Sequence, residues 1–140
     1  MRGEEQTSLG QPVTGLGQIE YRLARDSAIR EFRRGRLSKI DVCDAQPELM
    51  RVAKNLGKPT EIECPICEEQ NLVQVLFAFG PRLPSQGRAL SSPTEMRGLA
   101  RGASDVAFYL VEVCTGCGWN HLLRMFTAPA ARRRVARRGN

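Results

Sequence analysis

Four cysteines stand in two pairs of equal spacing, Cys64 and Cys67 in "CPIC" and Cys114 and Cys117 in "CTGC". Each pair enters a segment of strand character. A Cys-x-x-Cys turn at the tip of a hairpin aims two thiolates at one point, and zinc favours four thiolates in a tetrahedron. Cys64, Cys67, Cys114 and Cys117 are therefore the predicted ligands of one Zn2+ per chain. Pro65 stiffens the first turn, and Gly118 follows the second pair where such a knuckle needs a residue tolerant of positive φ. The stretch between the pairs far exceeds the roughly 15 to 20 residues of the short four-cysteine pattern. A long inserted loop accounts for the excess without disturbing either knuckle.

Two other chemistries use similar residues. Rubredoxin-like iron takes the same ligand set, although zinc is the commoner occupant of a closed four-thiolate site. A redox dithiol needs one Cys-x-x-Cys with an exposed, activated thiolate, usually at a helix N-terminus. Here both pairs enter strands, and one metal explains both together.

The fifth cysteine, Cys43 in "DVCDA", lies away from either pair in sequence and reads as a small buried apolar residue, with a reactive thiol or a fifth ligand as the alternatives. His121, the only histidine, falls with Trp119 and Leu123 on one face of a strand and reads as a packed residue. With one histidine and no Ser or Cys nucleophile beside it, hydrolysis and acyl transfer lack support, and no catalytic residue is assigned. Trp119 and Tyr109 could stack on bases, but aromatics near a small ribbon usually form its core.

The elements that must carry these residues follow from periodicity. In "QIEYRLARDSAIREFRR", residues 18–34, Tyr21, Ala24, Ala28 and Phe32 share one helical stripe, with Arg22, Arg30, Arg33 and Arg34 opposite. Ser38 and Asp41 signal a short turn through "KIDVCDA", and Pro47 opens a helix "PELMRVAKNL" burying Leu49, Val52, Ala53 and Leu56. From Thr60 the character changes to strands: "TEIEC", then "NLVQVLFAF", in which Val73, Val75, Phe77 and Phe79 alternate onto one face. Residues 80–104 are rich in Gly, Pro and Ser and predict a loop with one helical turn after Pro93. Strands return in "VAFYLVEVC" and "WNHLLRMF".

The predicted fold class is α+β, an N-terminal helical unit followed by an antiparallel four-cysteine zinc ribbon with a long inserted loop. Residues 1–17 are expected to be disordered. Residues 18–127 form one domain, divided into a helical unit at 18–58 and the ribbon at 59–127 with its loop at 80–104. Residues 128–140 form a disordered Arg-rich tail.

Five arginines of that tail, Arg132, Arg133, Arg134, Arg137 and Arg138, account for all but one unit of the net charge of +6. A second basic stretch, from Arg22 to Lys39, is opposed only by Asp26 and Glu31, whereas Glu61, Glu63, Glu68 and Glu69 surround the first cysteine pair. The longest apolar stretches, 75–79 and 106–113, fall well short of the roughly 18 to 20 residues that span a bilayer. The N-terminus lacks the apolar core of a secretory signal, so a cytoplasmic location and no membrane partner are expected.

The runs "LSKIDVCDA" and "CTGCGWNHL" carry a resemblance. Residues 20–126 are similar to an uncharacterised actinobacterial family of small cytoplasmic zinc-ribbon proteins, known as a domain of unknown function. The resemblance implies an actinobacterial source and a zinc-ribbon architecture; the glycine-rich start and the tail lie outside it.

Three functions are weighed. The first is a non-catalytic adaptor docking onto a protein machine of transcription or translation. Four thiolates around zinc carry a formal charge of about −2, and with Glu68 and Glu69 they make an anionic end that repels phosphate and suits a basic protein patch. Arg22, Arg30, Arg33 and Arg34 would meet an acidic surface. The second is nucleic-acid binding through a tri-helical unit, with Arg51, Lys54 and Lys58 reading a groove and the tail contacting phosphates. The third is a thiol redox sensor.

Overall fold

The computed structural model describes residues 17–102 and 105–127. In chain order these form β1 (Gly17–Glu20), α1 (Arg22–Arg33), α2 (Lys39–Val42), α3 (Pro47–Leu56) and β2 (Lys58–Glu63). There follow β3 (Asn71–Phe79), β4 (Arg88–Leu90), α4 (Pro93–Gly102), β5 (Ala107–Val113) and β6 (Asn120–Thr127). The strands make one antiparallel sheet in the order β1-β6-β5-β3-β2, and β4 pairs with β3. Its spine is the β3–β5 ladder, in register from Val73 opposite Val113 to Phe79 opposite Ala107.

Alternation along β3 and β5 gives the sheet two faces, and both are apolar. Leu72, Leu76, Ala78, Phe108 and Leu110 lie on one. At one end of this face Leu72 packs with Ile29 of α1, Val42 of α2 and Trp119; at the other, Leu76 and Phe108 pack with Met96 and Ala100 of α4. The opposite face carries Val73, Val75, Phe77 and Phe79, the set singled out by periodicity. It is covered by α3, whose Ala53 packs on Val75 and Val113. A groove beside α3 stays open, lined by Leu49, Phe77, Phe79, Tyr109, Val111 and Leu122. Tyr109 is thus a half-buried wall rather than core, its ring edge-on to Phe79 at 5.0 Å.

The helices at 18–58 do not form a unit of their own. α1 and α2 lie on one face of the sheet and α3 on the other. α1 and α2 share one cluster with Leu72 and Trp119 while α3 packs on Val75 and Val113, so the apolar stripes are buried against the sheet. The first helix also starts late. Gln18, Ile19 and Glu20 pair with Phe126, Met125 and Arg124, and the N–H of Tyr21 donates to the Leu123 carbonyl at 2.9 Å, so the backbone is committed to the sheet until Arg22. Its inward side is Arg25, Ala28, Ile29 and Phe32, and Ala24 is exposed. Leu56 of α3, expected inside, is 41% exposed because the helix ends there as the chain turns into β2.

Residues 80–104 hold more structure than a loop with one turn. β4 extends the sheet and α4 runs from Pro93 to Gly102. Ser92 caps α4 by accepting from the Glu95 N–H at 3.2 Å, while Glu95 accepts from the Ser91 N–H at 3.0 Å and from Arg88 at 2.8 Å. Burial of Met96 and Ala100 against the sheet outweighs the poor helix propensity of Gly98. The expectations for residues 1–16 and for the tail at 128–140 lie outside the described residues.

Candidate metal centre

The two cysteine pairs occupy the same turn built twice. In the first, between β2 and β3, the N–H of Cys64 donates to the Gln70 carbonyl at 2.9 Å and the N–H of Glu68 to the Cys64 carbonyl at 3.1 Å. In the second, between β5 and β6, Cys114 donates to Trp119 at 2.8 Å and Gly118 to Cys114 at 2.9 Å. Each turn also aims backbone donors at sulfur, Ile66 N–H at Cys64 Sγ and Cys117 N–H at Cys114 Sγ, both at 3.4 Å. The residue after each second cysteine has positive φ, +57° at Glu68 and +94° at Gly118. Sequence marked the second position through its glycine and gave no sign of the first.

Register brings the turns together. Val73 opposite Val113 sets the two tips side by side, and the four sulfurs of Cys64, Cys67, Cys114 and Cys117 all lie within 4.8 Å of one another. Cys64 Sγ is 3.8 Å from Cys117 Sγ, and Cys67 Sγ is 3.7 Å from Cys114 Sγ. A tetrahedron with metal–thiolate bonds of about 2.3 Å has edges of about 3.8 Å, so the donors fit a tetrahedral ion. Cys64 and Cys114 are 0% exposed, and Cys67 and Cys117 are partly exposed.

Burial pushes the Cys64 thiol up, and burial together with the Cys43 contact pushes Cys117 far up. At Cys67 burial acts in the same direction, but donation from the Glu69 N–H and the neighbouring thiols outweighs it, and the net shift is downward. A cation bound among these sulfurs would offset the burial cost by stabilising the thiolates.

Cys43 is not remote from the knuckles. Its Sγ donates to Cys117 Sγ at 3.4 Å, and it is only partly buried. The chain passes around the second knuckle between α2 and α3, and the Ala45 N–H donates to the Gly118 carbonyl at 3.0 Å. Asn120 Nδ2 holds Asp44 at 3.0 Å. Nothing in the local sequence marks this contact, because it forms between segments distant in the chain. Cys43 stands outside the set of four mutually close sulfurs. Trp119 is core, 1% exposed, and His121 stacks on it with ring centres 5.8 Å apart.

The charged residues proposed as a binding face are all exposed: Arg22, Arg30 and Arg33 on α1, Arg34 at its C-cap, and Glu68 and Glu69 on the first knuckle. Among the described residues no ion pair joins the two sets. A polar contact that pattern reading missed lies beneath α1, where Glu112 is buried and receives Arg25 and Trp119. A lone acid inside the apolar run "VAFYLVEV" was its only signal.

The fold and site define a mixed helix and antiparallel-sheet protein with four cysteines gathered at one end of the sheet. The chain belongs to the family of unknown function DUF5318, whose model matches residues 14–139. The match is wider than the resemblance over 20–126 and takes in the arginines of the tail. The uncharacterized protein Rv0049 of Mycobacterium tuberculosis (strain ATCC 25618 / H37Rv) is 40% identical over 114 residues, covering 81% of this chain and 83% of its own. The uncharacterized protein Mb0050 of Mycobacterium bovis matches to the same extent. These relatives are actinobacterial, as the resemblance implied. No solved structure matches the chain. Among the described residues no helix is long and apolar enough to cross a membrane.

Proposed function

We propose that this is a non-catalytic zinc protein of the cytoplasm, whose four-thiolate site braces one end of the sheet so that charged surfaces are held rigid for docking onto a protein machine. The observation that carries the reading is the set of four sulfurs within 4.8 Å at the tips of two equivalent turns. Cys64, Cys67, Cys114 and Cys117 would hold one Zn2+, with no position left open for a substrate, which is the arrangement of a structural rather than a catalytic site. In this reading the metal end is a zinc ribbon, and its negative charge adds to Glu68 and Glu69. A basic protein patch is the matching partner. Arg22, Arg30, Arg33 and Arg34 supply the complementary surface for an acidic one.

The runner-up, nucleic-acid binding, loses one of its supports, since α1, α2 and α3 are split between the two faces and offer no tri-helical frame for Arg51, Lys54 and Lys58. Its other support, the arginine tail, supplies salt-sensitive attraction to phosphate.

The metal is tested by elemental analysis of protein purified under reducing conditions: one zinc per chain is expected, lost in Cys114→Ser. Purified protein without stoichiometric metal, or with iron, overturns this step. Docking is tested by pull-down from host lysate, with and without nuclease. The parent is compared with a chain ending at Thr127, with Arg30→Glu plus Arg33→Glu, and with Glu68→Lys plus Glu69→Lys. A protein partner that survives nuclease and tail removal but is lost on charge reversal supports docking. Loss of all partners on nuclease treatment puts nucleic acid first.

A further inference from the structure

We propose that Cys43 and Cys117 form a peroxide-sensitive pair, in which oxidation joins them as a disulfide and withdraws one sulfur from the cluster of four. The effect on zinc rests on the reading above; the disulfide itself does not.

Geometry singles out this pair. The Cys43–Cys117 separation of 3.4 Å is shorter than the 3.7 and 3.8 Å within the cluster. Bonding at about 2.05 Å needs an approach of only about 1.4 Å. Cys43 belongs to no tetrahedron, so its sulfur is available to an oxidant while the four others are shared around one centre. Its position is held from the backbone, by Ala45 on Gly118 and by its own N–H on the Lys39 carbonyl at 2.8 Å.

Access selects the same residues. A surface recess of about 430 Å³ is walled by Cys43, Cys67 and Cys117, together with Lys39, Glu69 and Gln70. A peroxide entering it meets those three partly exposed cysteines, whereas Cys64 and Cys114 are 0% exposed. Of the three, Cys67 has its close partner in buried Cys114. Cys43 and Cys117 both stand on the recess wall with their sulfurs 3.4 Å apart.

The step balances with a peroxide as the oxidant. The Cys43 thiol attacks hydrogen peroxide, the O–O bond breaks, and Cys43 becomes a sulfenic acid with release of water. The Cys117 sulfur then attacks the Cys43 sulfur, and the hydroxyl leaves with the Cys117 proton as a second water. The two sulfurs lose two electrons, which the peroxide gains, and one S–S bond replaces one O–O bond. Only three sulfurs of the cluster remain free, so oxidation loosens the knuckle end, and a thiol reductant restores it. The redox chemistry thus lies between an outlying cysteine and a knuckle, and not within either Cys-x-x-Cys.

The test treats the reduced, metal-loaded full chain with hydrogen peroxide, alkylates free thiols, and maps cross-linked peptides by mass spectrometry while a chromogenic chelator reports released metal. A Cys43–Cys117 cross-link is expected, forming in step with metal release and reversed by dithiothreitol. In Cys43→Ser and Cys43→Ala, checked for parental near-UV circular dichroism, the cross-link is lost and release is slowed. Cross-links confined to the other four cysteines, with Cys43 left alkylated, overturn the proposal, as does metal release from both variants at the parent's rate. If the parent purifies without metal, the zinc reading fails, and the cross-link map alone decides this proposal.

Discussion

Arg25 of α1 and Glu112 of β5 meet beneath the first helix, Nε donating to Oε2 at 2.7 Å. The same oxygen accepts from Trp119 Nε1 at 2.7 Å. One carboxylate, 3% exposed, therefore ties the helix, the central strand and the tryptophan beside the second knuckle. A buried charge is tolerated only when paired and hydrogen-bonded, and Glu112 has both.

Breaking that pair from one side should be costly. Glu112→Gln keeps an acceptor for Trp119 but removes the buried partner of the Arg25 cation, leaving it only the more exposed Asp26 at 3.1 Å. The expected loss is about 2–4 kcal/mol, below the upper range for buried pairs because the Arg25 side chain is 18% exposed. Replacing both partners, Arg25→Leu with Glu112→Leu, should cost less than the sum of the two single changes. Urea unfolding of the single and double variants measures the coupling; additive losses would show that the contact contributes nothing.

The two knuckles predict opposite responses at equivalent positions. Glu68 holds a φ of +57°, where a side chain is disfavoured by roughly 1–2 kcal/mol, so Glu68→Gly should be neutral or stabilise by up to about 1 kcal/mol after the glycine's entropy cost. Gly118 has φ +94°, and a Cβ there would sit 3.2 Å from the Cys43 carbonyl oxygen. Gly118→Ala should destabilise and displace Cys43. Melting temperatures of the two variants should move in different directions or by clearly different amounts.

Acid should act on the cap of α4. The Ser91 N–H, opposed by burial and helped by the Ser91 hydroxyl and Arg88, holds the Glu95 carboxyl below its ordinary value. A carboxyl whose folded pKa is depressed adds stability that is complete above its unfolded pKa and is lost as pH falls through the folded one. Stability should therefore decline below the usual carboxylate range, near about pH 4. Glu95→Gln should be weaker at neutral pH and flatter across that window. Urea midpoints measured between neutral and acidic pH check this, and parallel curves for parent and variant would refute it.

Removing the proposed zinc should act locally before it acts globally. The knuckles lie at one end of the sheet and the α4 cluster at the other. On chelation, or in Cys114→Ser, amide protection should fall first at Cys64, Glu68, Cys114 and Gly118, whose N–H groups close the turns, and later at Leu76 and Phe108. Cys43→Ala should keep the metal and this protection. Hydrogen exchange read by mass spectrometry separates local from uniform loss.

The sequence by itself determined the elements whose signals are local. The cysteine pairs, the alternation in "NLVQVLFAF", and Pro47 opening α3 each depend on spacing within a few residues, and the structure places them as read. Tertiary structure alone decided what depends on partners distant in the chain. Gln18 to Glu20 became a strand because β6 offered its edge, and 93–102 became a full helix because the sheet buried Met96 and Ala100. The grouping of the helices was likewise a matter of which apolar face each could cover. Cys43 read as an ordinary small residue because no local pattern places it against Cys117; the turn of the chain around the second knuckle does that. The four clustered cysteines were legible because each pair is encoded in one short turn, and the β3–β5 register then sets the two turns side by side. Their fifth neighbour was not, because its place is set by packing, which a linear pattern does not carry.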